Sequence, residues 1–224
     1  MAVIFDLDGV LVDTAKYHYL AWKRLARELG GDLSEAQNEA LKGVSRMDSL
    51  DIILRLNNLT LTTEERERMA SRKNEWFVEF IAQMSPDELF DGAIALLETL
   101  RANGIKRALA SSSKNARQVM GLLGIADLFD AVVDGTMIEH SKPHPEIFLK
   151  AASLLNVAPA ACLVVEDAEA GVEAAVRAGM PCIGLGSPES LRKANKVISE
   201  LRELTLRDIA ELTHEPHHER FSAP

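Results

Sequence analysis

Residues 2–9 read Ala2-Val3-Ile4-Phe5-Asp6-Leu7-Asp8-Gly9. An apolar run without alternation, stopped by Asp-Gly, predicts a short strand buried on both faces, as in a parallel sheet. Side chains two residues apart on a strand share a face, so Asp6 and Asp8 can approach one ligand together. An Asx turn closing the strand accounts for the same two acids, and this stretch alone leaves both readings open.

Similar runs recur at residues 105–110, 131–133, 161–165 and 182–185. Each follows a helical pattern: about 93–102, stopped by Gly104, then 115–123, 145–155 and 168–178. Strands alternating with helices of this length predict βαβ units, hence an α/β fold with a doubly wound, parallel-sheet, Rossmann-like core. Residues 14–86 break the alternation. Helices are expected over 17–29, 35–41, 48–56 and 63–84 with no strand between them, and Thr62-Thr63-Glu64-Glu65 supplies an N-terminal cap for the last. The economical organisation is a core of residues 1–13 and 87–213 with a helical cap domain, 14–86, inserted after the first strand. The polar segment 214–224 is expected to be disordered, its histidines lacking the geometry of a metal site.

The composition sets outer limits. The chain has 224 residues, 47% apolar and 26% charged, as in an ordinary globular protein. Global disorder, collagen-like repeats and a disulfide mini-scaffold are excluded. A net charge of −9 gives no general attraction to nucleic acid or anionic membrane, so an anionic substrate needs a local positive pocket. Cys162 and Cys182 lie among apolar residues and read as buried free thiols, which suits a reducing cytoplasm. No signal peptide and no run of about 18 apolar residues is present, so a soluble cytoplasmic protein is expected.

Further polar groups fall at the ends of the predicted strands. Ser111-Ser112-Ser113-Lys114-Asn115 follows the second core strand and opens a helix, where hydroxyls and backbone N–H groups can cradle an anion. Lys142 supplies a positive charge in a loop before Pro143, and Glu166-Asp167 directly follows another strand. Singly the serine run is a helix cap and Lys142 a solvated lysine, while Glu166-Asp167 is a second acidic pair at a strand end. In an open parallel sheet, however, the strand ends share one edge, where ligands bind. Asp6, Asp8 and Asp167 are hard oxygen donors suited to Mg²⁺, and Ser111 and Lys142 suit phosphate oxygens. Together they predict a Mg²⁺-dependent phosphoryl-transfer site.

The ordered set Asp6-Leu7-Asp8-Gly9-Val10, Ser111, Lys142 and Glu166-Asp167 resembles the four motifs of the haloacid dehalogenase superfamily. The resemblance implies that Asp6 is the nucleophile, forming an aspartyl phosphate, and that Asp8 is the general acid and base. It implies one Mg²⁺ held by Asp6, Glu166 and Asp167 and by the backbone carbonyl of Asp8. Ser111, Ser112 and Lys142, with Asp6, would hold the transferring phosphate.

Within that superfamily, residues 14–23, 41–46 and 72–74 resemble the cap of the β-phosphoglucomutases, and residues 111–115 complete the match. Read without it, His18 and Trp22 share a helix face and suit packing, Arg46 is a solvated loop charge, and Lys73 is exposed on a charged helix. The resemblance implies that Arg46, Ser113, Lys114 and Asn115 bind the phosphate not being transferred. Gly43, Val44 and Ser45, beside Trp22, would line the sugar pocket. His18 and Lys73 would couple cap closure to Asp8, and Thr14 would lie at the hinge. The implied activity interconverts β-D-glucose 1-phosphate and glucose 6-phosphate, with β-glucose 1,6-bisphosphate as activator and intermediate. The alternatives are a Mg²⁺-dependent sugar-phosphate phosphatase, a phosphonatase using Lys73 as a Schiff base, and a non-catalytic binding module. A monomer is expected, with a small sugar phosphate as substrate and no nucleic-acid or membrane partner. Two departures stand out: Ser112 replaces a common Ala, and Asp134-Gly135-Thr136 replaces a more usual Asp-Pro.

Overall fold

In a computed structural model, which describes residues 1–41 and 44–214, six strands form one parallel sheet. They are β1 (Ala2–Phe5), β2 (Lys106–Ala110), β3 (Ala131–Val133), β4 (Cys162–Glu166), β5 (Cys182–Leu185) and β6 (Lys196–Ile198), in the spatial order β3-β2-β1-β4-β5-β6. All four residues of β1 are fully buried because both faces of the sheet are covered. Val3 and Phe5 belong to one core with α5 (Ala93–Ala102), α6 (Ala116–Leu122) and α9 (Leu206–His214). Ala2 and Ile4 belong to a second core with α7 (Glu146–Leu155) and α8 (Glu169–Arg177). Cys162 and Cys182 are buried in this second core as free thiols.

Between β1 and α5 lie α1 (Ala15–Glu28), α2 (Glu35–Asn38), α3 (Arg46–Leu56) and α4 (Thr63–Ile81). Leu25, Ile53 and Phe77, from α1, α3 and α4, are each fully buried, so these helices share an apolar centre. The segment leaves and rejoins the core at one place. Val12 bridges Leu89, the Phe90 N–H donates to the Leu11 carbonyl at 2.9 Å, and Glu88 accepts from Lys16 and Tyr17.

The helices depart from expectation mostly at their ends. Arg46 is the first residue of α3 and not a loop charge, because Ser45 caps the helix by accepting from the Asp48 N–H. Thr62 and Glu65 form the expected capping box on α4. α4 stops at Ile81, three residues early, and Glu39–Leu41 continues α2 as a 3₁₀ turn. Lys73, expected in solvent, is 2% exposed. β6 and α9 were not anticipated. β6 has only three residues, too few to show periodicity, and it forms as an edge strand on β5. Gly43 and the tail beyond residue 214 lie outside the described residues.

Candidate active site

Strand register assembles the site. Phe5 pairs with Leu109 on one side and Val165 on the other, so the residues that follow each strand emerge together at the carboxyl edge. The Asp6 N–H donates to the Val165 carbonyl at 3.0 Å, and the Ser111 N–H to that of Val133 at 3.1 Å. This extends the ladder one residue past each strand and fixes the direction of both side chains.

Lys142 stands at the centre of this edge, fully buried. Its Nζ donates to Asp6 Oδ1 at 2.5 Å, to Glu166 Oε1 at 2.5 Å and to the Ala110 carbonyl at 3.3 Å, which uses all three protons of the ammonium. Burial would lower its pKa, but the carboxylates of Asp6 and Glu166 outweigh that and raise it, keeping the charge. Glu166 Oε2 accepts from the Ala168 N–H at 2.9 Å. Gly171 makes room for this carboxylate, since a Cβ there would stand 1.8 Å from Oε1.

Asp8 accepts hydrogen bonds from Thr14 Oγ1 and, at 3.3 Å, from Ser111 Oγ. Burial raises its carboxyl to about 6, against the pull of Ser111, Lys142 and Lys73. Burial likewise raises Asp6 to about 7, helped by Glu166 and Asp8 and opposed by Lys142. Asp167 faces Gly9, whose φ of +83° and missing side chain let the two approach: a Cβ on Gly9 would stand 2.0 Å from Asp167 Oδ2.

These donors fit a hard divalent cation. Carboxylate oxygens of Asp6, Glu166 and Asp167 lie within 4.8 Å of one another, the one such group of three among the described residues. Asp6 and Glu166 share the Lys142 ammonium, and burial first, with the neighbouring carboxylates adding to it, raises the carboxyls of Asp6 and Asp8. Glu166, counted among the metal ligands from the resemblance, differs from the others in position. Both its oxygens are engaged, and Asp6, Asp8 and Asp167 line the central cavity while Glu166 does not.

That cavity has a volume of about 710 Å³ and lies between the sheet edge and α1, α3 and α4. From the helical side, Lys73 Nζ stands 2.7 Å from His18 Nδ1, over the Trp22 and Phe77 rings, while His18 stacks on Phe77 at 4.0 Å. Burial and neighbouring cations lower the pKa of both His18 and Lys73. The pull of Lys73 on Asp8 brings this pair electrostatically into the sheet-edge site.

A second cationic and amide cluster lines the same cavity. Arg46 and Asn115 both donate to the Asn74 side-chain carbonyl, at 2.8 and 2.7 Å, and Lys114 lies beside Asn115. Ser113 Oγ accepts from the Asn115 N–H, and Ser111 Oγ from the Ser113 N–H, so the serine run braces its own loop and makes no side-chain cap on α6. Val44, Ser45 and Ser112 line the cavity, Ser111 and Lys142 stand behind its wall, and Thr14 is fully buried. Asp48 Oδ2 accepts from Ser45 Oγ at 2.6 Å and from Ser141 Oγ at 2.7 Å, joining α3 to the loop that carries Lys142.

Asp48, Ser141 and Asn74 were missed in the sequence. Asn74 sits next to Lys73, but what it touches depends on two residues 28 and 41 positions away. A parallel sheet edge bearing two acids after β1, a serine after β2 and a buried lysine paired to the acid that ends β4 defines a phosphoryl-transfer fold. The chain belongs to the haloacid dehalogenase-like hydrolase family, whose family model matches residues 1–179. It is 43% identical over 216 residues to a β-phosphoglucomutase of Bacillus subtilis, covering 96% of this chain and 94% of that one. A phosphorylated carbohydrates phosphatase of Thermotoga maritima is 34% identical, covering 80% and 82%. The crystal structure of a β-phosphoglucomutase from Clostridium difficile superposes with a TM-score of 0.91 at 44% identity, covering 95% of this chain and 96% of that one.

Proposed function

We propose that this chain is a phosphomutase that interconverts β-D-glucose 1-phosphate and glucose 6-phosphate through an aspartyl phosphate and β-glucose 1,6-bisphosphate. The observation that carries the reading is that two separate sets of phosphate-binding groups line one cavity. Asp6 and Asp8, backed by Lys142, serve the reacting phosphate, and Arg46, Lys114 and Asn115 serve a second one. A bisphosphate needs both. Near-full-length similarity to a β-phosphoglucomutase supports the choice of sugar.

The carboxylates of Asp6 and Asp167 and the backbone carbonyl of Asp8 would hold Mg²⁺, which when bound supplies positive charge against the phosphate and the attacking carboxylate. Lys142 keeps Asp6 Oδ1 occupied, so the other oxygen is the one that attacks phosphorus. Glu166 holds Lys142 in place and charged. Asp8, with its carboxyl raised to about 6, gives a proton to the departing sugar oxygen and takes one from the incoming hydroxyl. Ser111 and Ser112 complete the reacting-phosphate site. Residues 14–86 act as a cap hinged near Thr14. With His18 and Lys73 set against Asp8, and Trp22, Val44 and Ser45 walling the sugar, the cap keeps water from the acyl phosphate. We place the protein in the cytoplasm as a monomer. Buried free Cys162 and Cys182 support a reducing compartment, and among the described residues no helix is long and apolar enough to cross a membrane.

The test supplies β-glucose 1-phosphate, Mg²⁺ and a trace of β-glucose 1,6-bisphosphate, following glucose 6-phosphate and inorganic phosphate together. Glucose 6-phosphate without phosphate release, and no reaction of the α-anomer, is the expected result. Stoichiometric phosphate release without isomerisation would replace the mutase by a sugar-phosphate phosphatase.

A further inference from the structure

We propose that Asn74 is a positioning residue for the second phosphate: its side-chain carbonyl holds Arg46 and Asn115 side by side so that one anion meets both. The inference rests on the two-phosphate reading and names a residue that reading does not use. Asn74 itself does not line the cavity, whereas Arg46 and Asn115 do. Its Oδ1 accepts from Arg46 Nη2 at 2.8 Å and from Asn115 Nδ2 at 2.7 Å.

Hydrogen-bond chemistry makes this arrangement one-way. A guanidinium only donates, so the atom of Asn74 that faces Arg46 must be the oxygen. The atom of Asn115 that faces the same oxygen must then be its nitrogen. Two donors are thereby fixed on one acceptor, and the amide of Asn115 cannot flip to present its own oxygen there. Arg46 retains four further N–H groups and Asn115 one, and these are available to an anion in the cavity. Arg46 opens α3 and Asn74 lies in α4, while Asn115 precedes α6 in the sheet domain. The contact therefore spans from the helical segment to the sheet domain, and the anion pocket is complete only when the two are packed together.

Asn74→Ala and Asn74→Asp separate positioning from simple support of the fold. Both are measured for glucose 6-phosphate affinity by calorimetry with Mg²⁺, for KM and kcat with β-glucose 1-phosphate, and for Tm. Asn74→Ala is expected to weaken affinity and raise KM about tenfold, the cost of one charged hydrogen bond, with a smaller change in kcat. Asn74→Asp forms a stronger pair with Arg46 and is expected to keep Tm. It should weaken phosphate binding at least as much, because its carboxylate competes for the guanidinium. In an Arg46→Ala background, Asn74→Ala should add less than about twofold. Wild-type affinity in Asn74→Asp, or full additivity with Arg46→Ala, overturns the proposal. If the wild type binds glucose 6-phosphate but does not isomerise, the mutase reading fails while the affinity series still decides the role of Asn74. A wild type that binds no hexose phosphate overturns both.

Discussion

Lys142 Nζ is 2.5 Å from Glu166 Oε1, and both side chains are fully buried. Removing one partner of such a pair costs about 3–5 kcal/mol, since the other charge stays buried. Glu166→Gln keeps the shape and loses the charge. It is expected to lower Tm by roughly 6–20 °C, at about 2–4 °C per kcal/mol for a domain of this size, and to lower the phosphoryl-transfer rate by leaving Lys142 bound more tightly to Asp6. An unchanged Tm would remove Glu166 from its role as the partner of Lys142. The folded pKa of Lys142 is raised, so its contribution is fully present below about pH 10.5 and is lost only above it.

Asp6 and Asp8 act in the same direction as Lys142 but in a lower pH window. Their carboxyls are raised to about 7 and about 6, so between pH 4 and 7 the folded protein binds more protons than the unfolded chain, and these two groups lose stability as pH rises. A divalent cation relieves the repulsion where both are ionised. Mg²⁺ is expected to raise Tm more at pH 8 than at pH 5, as measured by thermal melts with and without the metal. Equal shifts at both values would count against a cation held beside these two carboxylates.

Gly9→Ala tests Asp167 from the other side of the contact. The new Cβ meets Asp167 Oδ2 and requires a left-handed backbone, at about 1–2 kcal/mol for that conformation. The half-saturating Mg²⁺ concentration is expected to rise about tenfold or more, which corresponds to about 1.4 kcal/mol. A normal metal titration in a folded variant would show that Asp167 is not a ligand.

Gly135 departs from the usual Asp-Pro, and the structure gives a reason for glycine there. A Cβ would stand 2.2 Å from the Ser112 carbonyl oxygen. Gly135→Ala must displace the 111–115 loop, at about 1–3 kcal/mol for an overpacked site. A lower Tm together with a raised KM is expected, and neither change would mean that the loop yields freely.

Arg46→Ala should separate the two anion sites. Glucose 6-phosphate formation is expected to fall at least about 100-fold, as for loss of a charged phosphate contact. Hydrolysis of p-nitrophenyl phosphate, which has no second phosphate, should fall much less. Equal losses in the two assays would remove Arg46 from the second site.

Much of this was legible before any coordinate. Asp6, Asp8 and Ser111 could be placed because they follow apolar runs and a parallel sheet forces strand ends onto one edge, and Lys142 because it stands in a loop before Pro143. The residues that failed singly were those whose environment is set by distant parts of the chain. Lys73 reads as solvated on a charged helix, yet Trp22, Phe77 and His18 enclose it. Arg46 reads as a loop charge, yet Ser45 caps a helix that begins with it.

The sequence by itself determined the alternation of β and α units, the inserted helices and the order of the acidic, hydroxyl and lysine groups, because periodicity and turn chemistry are local. Only the tertiary structure decided that Lys142 joins Asp6 to Glu166, that Asp48 meets Ser141, and that Asn74 gathers Arg46 and Asn115. Those contacts bridge 24 to 136 residues of chain, with the last anchored by separations of 28 and 41. They form only because strand register and the packing of the inserted helices bring the groups within hydrogen-bond reach.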